Sequence, residues 1–319
     1  MNTNNIQIDS QGKLRHLLKI DGLSRSHLTQ ILDIADQYIA YNQHKYSALD
    51  SLKNYTSVNL LFENSTRTRV SFELAAKRLG VEVINFDLST SSIQKGETML
   101  DTIHTLQAMH CNFFVIRHSE NNIVEFIAQN VNHEVAVINA GDGTHAHPSQ
   151  ALLDMLTIRQ HKKSFEHLKV AIVGDIRHSR VAHSAITALP ILGCKDIRII
   201  GPDFLLPESK ITGVEMFRDM KKGLEDVDVI MMLRIQKERI KNTSLPDIQE
   251  YYENYGLTPK KLKLAKPDAI VMHPGPMNRG IEIDSSIADG PQSVILQQVS
   301  NGVAVRMAIF SVLAETLAL

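Results

Sequence analysis

Ser65-Thr66-Arg67-Thr68-Arg69 sets two arginines among three hydroxyls directly after an apolar run, Val58 to Phe62, and opens an amphipathic segment that ends at Gly80. Strand, hydroxyl-rich turn and helix start make an anion cradle. The first turn of a helix leaves backbone N–H groups open and carries the positive end of the dipole, so a phosphate placed there satisfies both. Ser65 is also suited to be an ordinary N-cap, with Arg67 and Arg69 solvated. Further polar groups recur along the chain. Ile116-Arg117-His118 ends an apolar run on a cation, Gly141 to Gln150 carries His145 and His147 ahead of a helical pattern, and Ser91 to Thr98 is a polar loop with one lysine, Lys95. Each of these alone also reads as a solvated strand end, a helix flank or an exposed loop charge.

Positioning such groups requires strands that end side by side. Short apolar runs alternate with helical patterns, as in parallel α/β units. Val58 to Phe62, Val81 to Phe86, Cys111 to Ile116 and Glu134 to Asn139 read as strands of one open sheet, with helices at Asp101 to Met109 and Ile123 to Asn130. A second sheet starts at Leu168 to Asp175 and continues with Asp196 to Ile200, Val227 to Leu233 and Ala269 to Met272. Ser149 to Gln160 is a connecting helix, and Val303, Met307, Phe310, Ala314 and Leu317 form one stripe of a last helix that needs a core to bury it. The expected fold is α/β with two domains, each an open, mainly parallel sheet flanked by helices and joined by interdomain helices. The first domain is placed at residues 1–148, with a C-terminal helix at about 300–319 packing back onto it, and the second at 149–299.

With 319 residues the chain has room for two cores, and a formal net charge of -1 gives no global field for nucleic acid or a membrane surface. Anion specificity must therefore come from local arginines. The start, Met1 to Asn5, lacks a basic stretch followed by an apolar core, and no apolar run is long enough to cross a bilayer, so the expected location is cytoplasmic. Cys111 and Cys194 sit at the entrance to apolar runs and suit buried thiols. Val173-Gly174-Asp175 lacks the further glycines of a dinucleotide loop, but Arg180 follows that strand at its carboxyl end, where ligands of open α/β sheets sit. No histidine pair has the spacing of a helical zinc site.

Five segments in this order, Ser65 to Arg69, Lys95-Gly96-Glu97-Thr98, His147-Pro148-Ser149-Gln150, Arg234 to Arg239 and His273-Pro274-Gly275-Pro276, resemble the catalytic chains of the aspartate carbamoyltransferase family. The resemblance spans essentially the whole chain. The first and third segments are similar to those of carbamoyltransferases in general, and the last two point to aspartate as acceptor. Ornithine carbamoyltransferases carry a His-Cys-Leu-Pro loop and a Ser-Met-Gly loop; here position 274 is Pro, no cysteine follows Cys194 and no Ser-Met-Gly occurs. A non-catalytic paralogue is the other alternative, and it would be expected to lose a phosphate ligand, whereas Arg67, Lys95, Arg117 and His147 are all in place.

The resemblance implies transfer of the carbamoyl group of carbamoyl phosphate to L-aspartate in pyrimidine biosynthesis, with no metal or cofactor. It implies that Ser65, Thr66, Arg67 and Thr68 bind the phosphate, that Arg117, His147 and Thr68 point at the carbonyl oxygen, and that Gln150 accepts from the carbamoyl NH2. Lys95, Arg180, Arg234, Gln236, the Gly275 carbonyl and Pro276 would hold aspartate. It also implies a homotrimer in which Ser91 and Lys95 enter the neighbouring chain's site, so that Arg67, Thr68, Lys95, Arg117 and His147 form the catalytic set. Gln94 and Gly275 replace a lysine and a leucine of the best-known enteric form. The Gly275 to Gly280 segment looks more like forms found with dihydroorotase-type partners than forms with a regulatory chain.

Overall fold

A computed structural model describes residues 5–43, 49–86, 96–236 and 247–317. The chain divides into two compact units, residues 1–156 with 300–319, and residues 157–299. The first runs through α1 (Arg25–Gln43), β1 (Thr56–Leu61), α2 (Thr66–Arg78), β2 (Glu82–Asn85), α3 (Met99–Ala108), β3 (Phe113–His118), α4 (Ile123–Gln129), β4 (Ala136–Asp142) and α5 (Pro148–Lys162). The second runs through β5 (Lys169–Val173), α6 (Arg180–Leu192), β6 (Asp196–Ile200), β7 (Val214–Phe217), α7 (Met220–Gly223), β8 (Val229–Met232), α8 (Ile248–Tyr255), α9 (Pro259–Leu262), β9 (Ile270–Met272) and α10 (Ser285–Ala288). The chain leaves the first unit inside α5 and returns to it inside α11 (Ile295–Ala314).

Both sheets are parallel and open, as expected. The first has the order β2-β1-β3-β4 and the second β7-β6-β5-β8-β9. Central parallel strands are covered on both faces and so read as continuous apolar runs. In the first unit Val58, Leu60, Phe114, Ile116 and Val137 pack with Ile103 and Leu106 of α3 and Val124 and Ile127 of α4. In the second, Ala171, Val173, Ile230, Met232 and Val271 share a core with Leu224, Leu257 and Ile287. The edge strand β7 was not among the expected strands. Its residues Val214 to Phe217 are only half-buried or exposed, so selection for apolar character there is weak.

The C-terminal stripe finds its core in the first unit. Phe310 meets Phe72 of α2 and Phe113 of β3 edge to face, with centroids 6.1 and 5.0 Å apart. Met307 is fully buried, and Leu317, beyond the end of α11, is buried too. Cys111 and Cys194 are buried free thiols, and burial pushes Cys194 up to about 12. Among the described residues no helix is long and apolar enough to cross a membrane.

Candidate active site

In each sheet the chain first builds outward in one direction and then crosses to the other side of its first strand. The crossing points lie between β1 and β3 in the first unit and between β5 and β8 in the second. Crevices outside the carboxyl ends of strands at such points are where open α/β sheets bind ligands. Ser65 to Thr68 and Arg117 stand at the ends of β1 and β3, and Arg180, Arg234 and Gln236 follow β5 and β8, at these two places; His147 and Gln150 follow the adjoining β4, and Gly275 and Pro276 the adjoining β9.

In the first unit, β1 leads into Ser65, the N-cap of α2. Its hydroxyl accepts from the Thr68 N–H at 3.4 Å and donates to Thr68 Oγ1 at 2.8 Å. The N-cap and the anion cradle are thus one arrangement: the cap fixes the first turn, while the Thr66 and Arg67 side chains stay exposed to what lies in front of it. Arg117 closes β3 opposite Leu61 of β1. Its Nη1 donates to the Ala140 carbonyl of β4 at 3.2 Å, and its Nη2 pairs with Glu63 Oε2 at 2.9 Å. This guanidinium therefore ties together the ends of three neighbouring strands.

The segment after β4 makes a tight loop and then starts α5. Asp142 accepts from the Asn122 N–H and holds the His145 ring at 3.3 Å, which raises the His145 pKa through that hydrogen bond. His147 is buried and stands just before Pro148, whose place at the first helical position suits a residue without an N–H. One turn on, Gln150 Nε2 donates to Asp154 Oδ1 at 3.0 Å. Ser65, Thr68, Arg117, His147 and Gln150 thus sit at adjacent strand ends of one sheet.

In the second unit a single carboxylate organises two strand ends. Asp175, fully buried after β5, accepts at Oδ1 from the His178 N–H and ring, at 3.2 and 2.8 Å, and at Oδ2 from the Gln236 N–H at 3.0 Å. Gly174 makes this possible: at φ +124 a Cβ would lie 2.4 Å from the Leu233 carbonyl oxygen, so only glycine lets the ends of β5 and β8 approach. Arg180 opens α6 behind the Ser179 cap and is buried, and Arg234 is half-buried with Nη1 on the Ile235 carbonyl. Beyond β9, Gly275 takes φ +66 and the Gly275–Pro276 peptide is cis. Its N–H donates to His273 Nδ1 at 2.8 Å.

Ser91 and Lys95 lie outside the described residues, as do Lys237, Glu238 and Arg239. Among the described residues no cluster of three or more His, Cys, Asp or Glu is arranged to hold a metal ion. Sequence reasoning passed over Glu63, Asp154 and Glu282 and gave His273 and Asp175, though they stand in motifs it quoted, no role of their own. Of the three passed over, Asp154 carried a usable signal, its spacing of four from Gln150 on a helix.

Residues 15–160 match the family described as aspartate/ornithine carbamoyltransferase, carbamoyl-P binding domain, and residues 166–313 match its Asp/Orn binding domain. Solved structures agree over nearly the full length. A putative aspartate carbamoyltransferase from Trypanosoma cruzi is 28% identical with a TM-score of 0.81, covering 93% of this chain and 96% of that one. Aspartate transcarbamoylase from the same organism in complex with carbamoyl phosphate and aspartate is 28% identical with a TM-score of 0.81, covering 93% and 95%. In complex with carbamoyl aspartate and phosphate it is 27% identical with a TM-score of 0.80, covering 93% and 94%.

Proposed function

This chain belongs to the aspartate/ornithine carbamoyltransferase family, and on that premise we propose that it is an aspartate carbamoyltransferase, which makes N-carbamoyl-L-aspartate and phosphate for pyrimidine biosynthesis. One observation carries the choice of acceptor. The second unit keeps two arginines, Arg180 and Arg234, at its crossing point, with Gly275 and Pro276 at the end of the adjoining strand. Planar guanidinium forks suit the two carboxylates of aspartate, whereas ornithine would bring a second ammonium against them.

The chemistry needs preorganised positive groups and no side-chain nucleophile. The aspartate amine forms a C–N bond to the carbamoyl carbon, the carbonyl oxygen becomes an oxyanion, the C–O bond to phosphate breaks, and the departing phosphate takes the amine proton. Ser65, Thr66, Arg67 and Thr68 hold the phosphate, and Arg67 meets the charge growing on the leaving oxygen. Arg117, His147 and Thr68 stabilise the oxyanion, and Gln150 accepts from the carbamoyl NH2. The Gly275 carbonyl and Pro276 place the attacking amine. Removing one donor of an oxyanion commonly costs about 10²–10³ in turnover.

The working form in this reading is a homotrimer. Val70 and Leu74, one turn apart on α2, and Ile84 on the edge strand β2 are 47%, 40% and 42% exposed, an apolar set that a second copy would cover. Ser91 and Lys95 come soon after β2 in the chain, and in this reading they serve the neighbour's site. The segment from Gly275 to Gly280 favours a dihydroorotase-type partner over a regulatory chain, and the reading keeps the enzyme in the cytoplasm.

The deciding experiment offers L-aspartate and L-ornithine side by side with carbamoyl phosphate. N-carbamoyl-aspartate and phosphate should appear in equal amounts, at a rate a chelator leaves unchanged. Preference for ornithine would overturn the assignment.

A further inference from the structure

The turn that carries Gly275 is held by a buried pair whose polarity is fixed by its hydrogen bonds. The Gly275 N–H donates to His273 Nδ1, so that nitrogen presents a lone pair and the ring proton sits on Nε2. Nε2 lies 3.0 Å from Glu282 Oε1, which can only accept. The same oxygen accepts from the Asn278 N–H at 2.6 Å. One carboxylate oxygen thus fastens both ends of the turn from His273 to Asn278, and the His273 N–H is anchored separately to Gln298 Oε1 at 2.9 Å.

The His273 and Glu282 side chains have no solvent exposure. A buried carboxylate is costly, and apolar residues of similar size serve stability as well or better, so its presence here calls for a geometric reason. Its second oxygen, Oε2, and the buried Tyr251 hydroxyl take no hydrogen bond among the described residues. Tyr251 packs with Ile235, next to Arg234, and with Ile281, next to Glu282. Burial, and then the charges of Glu282 and Asp175, push the Tyr251 hydroxyl pKa up, as expected where these groups are all buried. An imidazolium at His273 would aim an Nδ1–H at the Gly275 N–H, two donors head to head.

We propose that Glu282 is a positioning residue that acts by locking His273 as the neutral Nε2–H tautomer, so that His273 Nδ1 holds the Gly275 N–H and aims the Gly275 carbonyl at the incoming amine. The proposal rests on the reading above that this carbonyl receives aspartate. Because both donors use a single oxygen of Glu282, the amide of Glu282→Gln can serve them equally, whereas Glu282→Ala cannot.

Steady-state kinetics in both substrates, calorimetric binding of carbamoyl phosphate, and nitrogen-15 NMR of the histidine rings in the intact enzyme test this. Glu282→Ala should raise the aspartate KM by about tenfold or more, with a smaller fall in kcat and unchanged carbamoyl phosphate binding. Glu282→Gln should stay within about threefold of the parent enzyme. The parent enzyme itself should show His273 neutral with its proton on Nε2, a readout that survives even if Glu282→Ala does not fold. Glu282→Gln as damaging as Glu282→Ala, a folded Glu282→Ala with normal aspartate KM, or an Nδ1–H or doubly protonated His273 would each overturn the proposal. A parent enzyme that does not carbamoylate aspartate would instead overturn the functional reading, and the positioning role with it.

Discussion

Gln150 Nε2 donates to Asp154 Oδ1 at 3.0 Å, and this contact fixes which way the glutamine amide faces. A carboxylate only accepts, so it must take the NH2 end and leave the carbonyl oxygen of Gln150 as the remaining acceptor. That is the group a carbamoyl NH2 requires. Asp154 is itself fully buried and faces the charge of Arg306 on α11, whose pKa burial pulls down to about 10. The Arg306 guanidinium lies 4.8 Å from the Phe72 ring centroid and donates to the Gly302 carbonyl. An element from the far end of the sequence thereby supports the orientation of a residue at the start of α5.

Asp154→Asn should disturb both functions of that carboxylate. The new amide can donate as well as accept, so Gln150 is no longer held one way, and Arg306 is left buried without its counter-charge. Carbamoyl phosphate binding should weaken by about tenfold. Stability to urea should fall on the order of 3 kcal/mol. Unchanged calorimetric affinity together with an unchanged urea midpoint would show that Asp154 holds neither.

The contrast between such supporting groups and the motifs explains what could be read from the sequence. β1, β3, β5 and β8 are central parallel strands, and their burial on both faces writes itself as runs such as Val170 to Val173. The half-exposed edge strand β7 leaves no such mark. Ser65, Arg117 and Arg180 stood out because each follows an apolar run at a strand's carboxyl end. Asp154 facing Arg306, and Glu63 paired with Arg117, join residues 152 and 54 positions apart, and no periodicity encodes a contact at that separation.

Arg67→Ala and Arg234→Ala should fail differently. Arg67 is assigned to charge that grows as phosphate leaves, so its loss should lower kcat by about 10²–10³. Arg234 is assigned to a carboxylate whose charge is constant through the reaction, so its loss should act mainly on the aspartate KM. Equilibrium binding of carbamoyl phosphate to Arg234→Ala should match the parent enzyme. A large loss there would mean the two binding sets are exchanged.

His16 predicts an acid-sensitive stability. Its Nδ1 accepts from the Val137 N–H at 3.0 Å, and burial, then Arg15, lowers its pKa from 6.5 to about 3. Below pH 6.5 the unfolded chain binds a proton that the folded one refuses, so stability falls as pH drops from 6.5 toward 3 and is unaffected by this group above 6.5. The slope should approach about 1.4 kcal/mol per pH unit. His145 works in the opposite sense and at higher pH: its raised pKa adds stability below that value which is lost as pH rises through it. His16→Asn, which keeps an acceptor but cannot titrate, should flatten urea-measured stability between roughly pH 4.5 and 6.5, the upper part of that window. A slope equal to that of the parent chain would assign the effect elsewhere.

The shared site of the proposed trimer gives the last prediction. If the loop carrying Lys95 serves its neighbour, Lys95→Ala and Arg67→Ala chains are each inactive as homotrimers for different reasons. One keeps a good cradle and offers no lysine; the other offers the lysine and has a broken cradle. In a closed three-fold ring the interfaces run head to tail, so any hybrid contains one interface at which an intact cradle receives an intact lysine. About one site in three of each hybrid should therefore recover. The experiment dissociates and reassembles an equimolar mixture, confirms hybrids by native mass, and measures carbamoyl transfer to aspartate. Hybrids that assemble but stay inactive would place the action of Lys95 within its own chain, or remove it from the reaction.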